Sequence, residues 1–287
     1  MTAEDSPQRR ATLAAGAHGL TLAGELAPDG PGQAYVAAPA HWPAVALSWC
    51  HDDGEVPPAH LGEQHARLPL LDGGWVEVQR DPVTATFHTP TRPTADWVAH
   101  PGLASSSALA SWWTGREAFH GGAVVLGDGA WGVLGGKEAG KSTLLAYLAL
   151  AGAEVVADDL LVIADGRALA GHRGIDLREP TADRLPPEAP TAVVRHATRT
   201  RLRLQPTAAE QPLAGWLLLT DGPRVALANV PPSERLARLG SHRSVRRAST
   251  APVDLLDLLR LPLYELQRPR SWAALDETVD LIARELG

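Results

Sequence analysis

Two rhythms divide the chain. Across residues 20–87, short apolar stretches alternate with clusters of Gly, Pro and Asp. Residues 44–49, 75–80 and 83–87 carry β-branched or aromatic residues, and Asp81-Pro82 stands between the last two as a hairpin-like turn. The pattern predicts a β-rich region. Residues 89–102 are rich in proline, and the serines at 105–107 are placed to cap a helix ending near Gly115. A boundary near Ser105 follows, giving a smaller β-rich N-terminal domain over 1–104 and a second domain over 105–287. The first ten or so residues are polar and are expected to fray.

In the second domain strand and helix alternate. Residues 123–126 and 131–134 flank Gly127-Asp128-Gly129, a hairpin signal, and a glycine-rich loop follows at once. Residues 141–151 have helical spacing and stop at Gly152; residues 154–157 form a short apolar strand ending in Asp158-Asp159. A second hairpin turns at Asp165-Gly166. Two helices close the chain, over 253–260 and from a Ser271 cap to about 286. The reading is α/β, without internal repeats.

Composition narrows the function. With 287 residues and 45 % hydrophobic content the chain can bury a core. A net charge of -7 argues against a nucleic-acid partner, because such binding rests on clustered cations. There is no basic segment leading into an apolar run and no stretch of about 18 apolar residues, so neither a signal peptide nor a membrane span is expected. The single cysteine, Cys50, excludes an internal disulfide, reads as a small buried hydrophobe and fits a cytoplasmic protein. Of 26 basic residues only Lys137 and Lys141 are lysines, and both lie in the glycine-rich loop. Arginine serves everywhere else, so lysine is kept where a compact ammonium is needed.

That loop, Gly135-Gly136-Lys137-Glu138-Ala139-Gly140-Lys141-Ser142-Thr143, satisfies Gly-x-x-x-x-Gly-Lys-Ser. In such a Walker A loop the backbone N–H groups converge on phosphate oxygens, the lysine reaches the β- and γ-phosphates, and the hydroxyl holds Mg²⁺. Asp158-Asp159 ends the strand after the helix, which returns it to the loop's edge of the sheet. One carboxylate is available to hold metal and the other to accept a proton, the two roles phosphoryl transfer to a hydroxyl requires. Hairpin arithmetic adds two residues. A turn centred on Asp128 sets His120 opposite Gly136, and a turn centred between Asp165 and Gly166 sets Asp158 opposite Arg173. His120 is then placed to orient an aspartate and Arg173 to neutralise phosphate.

The ordered set over residues 116–169 resembles the catalytic domain of HPr kinase/phosphorylase and its relatives in peptide-modifying gene clusters. It comprises His120-Gly121 before a hairpin, a loop ending Gly140-Lys141-Ser142, a helix with Gly152 after it, and Ala157-Asp158-Asp159. A weaker likeness continues over 261–282. The resemblance implies a P-loop kinase fold, ATP with Mg²⁺ and a serine hydroxyl as acceptor, with catalytic residues at His120, Lys141, Ser142, Asp158 and Asp159. Asp158 is the expected base, with Ser142 and Asp159 as metal ligands, although the sequence does not decide which of the two aspartates takes which role. Relatives usually carry Ser-Gly where this chain has Lys137-Glu138, and a glutamate before Arg-Gly where it has Gly171-His172. The N-terminal domain matches no family.

Downstream cations and carboxylates suggest an acceptor surface: Arg173, Asp176 and Arg178 with Glu179, and the run 195–203 in which Arg199, Arg201 and Arg203 alternate. Alternation sets two arginines on one strand face about 7 Å apart, where a serine beside carboxylates would be attracted; a solvated strand face is the plainer reading. His51, Asp52, Asp53, His60 and His65 match no metal-ligand spacing. Trp112 and Trp113 read as packing. The expected function is an ATP-dependent kinase acting on a serine of a peptide or small protein. A small-molecule kinase and a non-catalytic nucleotide sensor are the alternatives. The acceptor and any oligomeric state are not specified by the sequence.

Overall fold

The computed structural model describes residues 13–194 and 198–287. The polar start and the first three positions of the arginine run, beginning at Arg195, lie outside the described residues. The first half forms an eight-stranded mixed sheet: β1 (Ala15–Ala17), β2 (Leu20–Ala23), β3 (Val36–Ala37), β4 (Ala44–His51), β5 (His60–Leu61), β6 (His65–Pro69), β7 (Trp75–Gln79) and β8 (Thr84–Thr89). The strand order is β3-β1-β2-β4-β8-β7-β6-β5. In β8, Ala85, Phe87 and Thr89 are buried and the residues between them half-buried, as period-two alternation over a core demands. β7 and β8 pair around Asp81-Pro82 with Gln79 opposite Thr84, the hairpin expected there. Cys50 corrects the sequence reading: it is exposed, near the end of β4 where that strand has left the core.

The proline-rich segment is not a plain linker. One helical turn, α1 (Ala95–Trp97), is capped by the Thr94 hydroxyl, and a kink through Pro101 leads into α2 (Leu103–Trp113). The serines do not cap α2. Ser106 and Ser107 are buried inside it, and the Ser106 hydroxyl donates to the Leu103 carbonyl. Small hydroxyl side chains let the helix lie close to its neighbours, which explains their clustering better than capping does. Trp113 is buried and Trp112 half-buried; their indole N–H groups donate to the Gly62 and Ala248 carbonyls.

The second half contains β9 (Glu117–Leu126), β10 (Gly129–Gly135), α3 (Lys141–Leu150), β11 (Val155–Ala157), β12 (Leu160–Ala164), β13 (Arg167–Leu169), β14 (Gly174–Leu177), β15 (Thr191–Val194), β16 (Arg199–Arg203), β17 (Glu210–Asp221), β18 (Ala226–Asn229), α4 (Pro232–Gly240), α5 (Pro252–Leu258), β19 (Leu263–Arg268) and α6 (Ala273–Leu286). Five strands close a hydrogen-bonded ring. β10 pairs β9, β9 pairs β12, β12 pairs β13, β13 pairs the start of β17, and the rest of β17 pairs β10 in parallel. β19 and β18 extend the sheet beyond β17, and β14-β16-β15 form a separate small sheet. The chain is thus mixed α/β with several sheets.

One hydrophobic core contains Leu47 and Phe87 from the first half together with Phe119, Leu161 and Trp216 from the second, so it crosses the position-104 boundary. A second core, with Leu144, Leu145, Leu217, Leu266 and Ile282, sits under α3 and α6. Among the described residues no helix is long and apolar enough to cross a membrane.

Candidate functional site

The glycine-rich loop lies where β10 gives way to α3. The hairpin before it is tighter than a turn centred on Asp128: Leu126 pairs Gly129 and Gly121 pairs Leu134, a register that sets His120 level with Gly135 rather than Gly136. β11 runs along the other side of β9 in the same direction as β10, with α3 as the connection. That return carries Asp158 to the loop. Close packing at this point depends on Gly122, where a Cβ would stand 2.4 Å from the Ala157 carbonyl oxygen and 2.5 Å from a Leu145 methyl.

The loop end and two strand ends surround a cleft of about 790 Å³. Its lining includes His120, Lys137, Glu138, Gly140, Lys141, Ser142, Thr143, Asp158 and Asp159. Gly140 has φ +84°, a left-handed turn that starts α3. Lys141 is buried, and its Nζ donates to the carbonyls of Gly135 (2.9 Å) and Gly136 (3.1 Å). Burial lowers its pKa, against the opposing pull of the two aspartates. The Ser142 hydroxyl donates to Asp158 Oδ1 at 3.0 Å, and the Thr143 and Thr181 hydroxyls lie 3.2 Å apart. Glu138 has φ +64°, is exposed, and lies within charge range of Arg270.

The paired aspartates have opposite electrostatics. Asp158 is 4 % exposed, and burial, reinforced by the charge of Asp159, raises its pKa to about 6. Asp159 is half-buried with φ +67°. Burial opposes its ionisation, but the His100 hydrogen bond and charge, with His120 and His172 adding, hold its carboxyl well below the ordinary range. His120 Nδ1 stands 3.2 Å from the Asp159 carbonyl oxygen and 3.5 Å from Oδ1.

The substrate candidates separate. Arg178, Glu179 and Arg199 line the cleft. Asp176 also lines it, but is held by Arg201, whose Nε lies 2.6 Å from Oδ1. Arg201 is 5 % exposed and also donates to the Asp96 and His100 carbonyls. It does not share an accessible strand face with Arg199, because β14 and the segment around Asp96 cover it. Arg173 likewise turns away. The register of the second hairpin is the one its turn implies, Val162 opposite Leu169, but β13 ends there, and the Arg173 guanidinium donates to the Val155, Val156 and Gln205 carbonyls. It braces β11 rather than facing the cleft.

Sequence reasoning did not find three histidines. His100, on the kink before α2, sets Nε2 3.2 Å from Asp159 Oδ2 and Nδ1 2.9 Å from Asp176 Oδ2. Burial works against its charge, but the two carboxylates outweigh this and raise its pKa to about 9. His172 stacks on His100 with ring centroids 5.0 Å apart, and His18, on the turn after β1, lies 6.4 Å beyond it. Both are buried; burial lowers the His18 pKa to about 4 and that of His172 well below its usual value. His100, His172 and Asp176 bring ligand atoms within 4.8 Å of one another, but the Arg201 guanidinium already neutralises that carboxylate. Their spacing of 72 and 76 positions leaves no local signal. The His51 to His65 set makes no such group among the described residues: His51 meets the Pro90 carbonyl, Asp52 meets Trp75, and His65 meets Glu77.

No family model matches the chain, and no curated protein matches it. Among solved structures, the Hpr(Ser) kinase/phosphatase from Coxiella burnetii is similar over 58 % of this chain and 96 % of its own, with 11 % sequence identity and a TM-score of 0.26.

Proposed function

We propose that the chain is an ATP-dependent kinase, a P-loop enzyme of the HPr kinase type, that transfers the γ-phosphoryl group to a serine hydroxyl of a peptide or small protein. The observation that carries this is the meeting of Lys141, Ser142, Asp158 and Asp159 in one cleft, at the start of a helix entered through a left-handed glycine. The cleft's size is within the range of small-molecule sites, and its donors suit the ligand: backbone amides and an ammonium for phosphate, hard oxygen atoms for Mg²⁺. Ser142 and Asp159 would hold the metal, which supplies charge neutralisation at the phosphates when bound.

Asp158 is the base. A buried carboxyl with a raised pKa is matched to accepting a proton near neutral pH. It takes the acceptor hydroxyl's proton as that oxygen bonds to the γ-phosphorus, and the bond from phosphorus to the β,γ-bridging oxygen breaks to release ADP. His120 orients Asp159. Lys141, whose Nζ lies at the loop carbonyls of Gly135 and Gly136, turns to the phosphates, and loop amides share the developing charge. Arg178 and Arg199 are the cleft's acceptor-side cations, suited to carboxylates beside the serine.

The test is transfer of labelled γ-phosphate into serine peptides with acidic flanks, together with ATP calorimetry. Lys141→Ala is expected to abolish ATP binding. Lys141→Arg should fail nearly as badly, since a planar guanidinium cannot replace the ammonium in the loop. ATP binding with no acceptor-dependent ADP release would instead favour a nucleotide sensor. Normal ATP affinity in Lys141→Arg would show that this lysine does not grip phosphate.

A further inference from the structure

The residue that touches two carboxylates of the cleft at once comes from outside the glycine-loop half. His100 lies on the kinked segment ahead of α2, with extended backbone (φ −159°, ψ 126°) between two helical turns. Its ring is held on three sides. One nitrogen faces Asp159, the other faces Asp176, and one face rests on buried His172. Its own carbonyl accepts from Arg201 (3.2 Å), and Arg201 also grips Asp176, so backbone and ring are anchored to the same ion pair. Asp159 occupies a left-handed backbone conformation and is half-buried; its carbonyl accepts from the Gly121 N–H, and His120 Nδ1 lies 3.5 Å from its Oδ1.

We propose that His100 is a positioning residue for Asp159: the segment ahead of α2 reaches into the cleft and ties this carboxylate to the Asp176–Arg201 pair, fixing the direction in which its oxygens face the phosphate loop. The inference rests on the kinase reading, which assigns Asp159 to the metal. It makes the first half of the chain part of the working site rather than an appended module. The physical basis is general: a ligating carboxylate is aimed by the groups hydrogen-bonded behind it, and losing such a group lowers metal affinity by about 10- to 100-fold.

The experiment titrates the full chain with ATP by calorimetry, with Mg²⁺ and with a chelator, for the unaltered protein, His100→Ala and His100→Gln. The unaltered protein should bind ATP more tightly with Mg²⁺. In His100→Ala that gain should shrink by about tenfold or more, with metal-free ATP affinity little changed. Added imidazole should restore the gain in His100→Ala and leave the unaltered protein as it was; a general folding defect would not respond to it. His100→Gln, which keeps one donor and most of the volume, should lie between the two, and it decides the matter if His100→Ala does not fold. Full retention of the magnesium gain in the folded variants would overturn the inference and leave the kinase reading standing, as would a deficit that imidazole does not relieve and that is equal in both variants. Failure of the unaltered protein to bind ATP would remove the kinase reading and this inference together.

Discussion

Adjacent residues in a chain can be chemical opposites, and Asp158 and Asp159 are. Asp158 is buried against the Ser142 hydroxyl, whereas Asp159 turns through a left-handed backbone toward two histidines. Asp158→Asn is therefore expected to keep ATP affinity within several-fold while transfer falls by about 100-fold or more, the usual loss for a general base. On the kinase proposal, kcat/KM of the unaltered protein should rise as pH increases through about 6, where Asp158 ionises and can take the proton; the variant should lack that limb. Equal, small effects at both aspartates in a rate–pH series would dismiss the assignment. His100 gives a second pH signature. Its pKa is raised to about 9 in the folded chain, against about 6.5 when unfolded, so its stabilisation is complete below about 6.5 and is lost as pH rises through 9. The contribution is on the order of 3 kcal/mol. Thermal melts should show a fall over that window in the unaltered protein and a much flatter profile in His100→Gln.

At the scale of the element, the turn into α3 is the sensitive point. Gly140 combines φ +84° with a close neighbour: a Cβ there would lie 2.3 Å from Arg268 Nη2, which donates to the Ala139 and Gly140 carbonyls. Gly140→Ala should cost about 1–2 kcal/mol through the backbone alone, which corresponds to a roughly 5- to 30-fold loss of ATP affinity where the cost falls on the binding conformation of the loop. Pairing it with Arg268→Ala should recover only the crowding part, and ATP titration of the single and double variants measures both. Elements such as this were legible in sequence because their signals are local: a Gly-Asp turn, a Gly-Lys-Ser helix start, a carboxylate pair after an apolar strand. The one-residue error at the first hairpin arose because Gly127, with φ +56°, makes a two-residue turn with Asp128 instead of a three-residue turn through it. α4 went unread, although its Pro232 start and amphipathic spacing were available. His100, His172 and the true partners of Arg173 and Arg201 were not legible, since each depends on which strands the topology brings together.

Across the whole molecule the same long-range pairing sets stability. Arg201 joins β16 to β14 through the buried Asp176 side chain and to the first half through the exposed Asp96. Arg201→Ala removes one of the two cationic partners of the buried Asp176 carboxylate, leaving the His100 ring, and should cost about 3 kcal/mol, at the low end for breaking a buried pair, read as a lowered midpoint in denaturant with unchanged slope. A variant that loses acceptor affinity at full stability would return Arg201 to the acceptor surface first expected for it. Arg178→Ala with Arg199→Ala, by contrast, should raise KM for an acidic acceptor peptide without altering ATP affinity, and steady-state kinetics on both substrates separates the two effects.

The closed ring of five strands also bears on synthesis. β9 begins at Glu117, and its circuit is completed only by β17, which starts at Glu210 and pairs β13 with its first residues and β10 with the later ones. Every partial circuit leaves β10 with an unpaired apolar edge on the side that β17 will occupy, next to the glycine-rich loop. A growing chain must therefore hold the edges of β10 and β13 open for the whole interval between residues 169 and 210, an exposure that invites pairing with other chains.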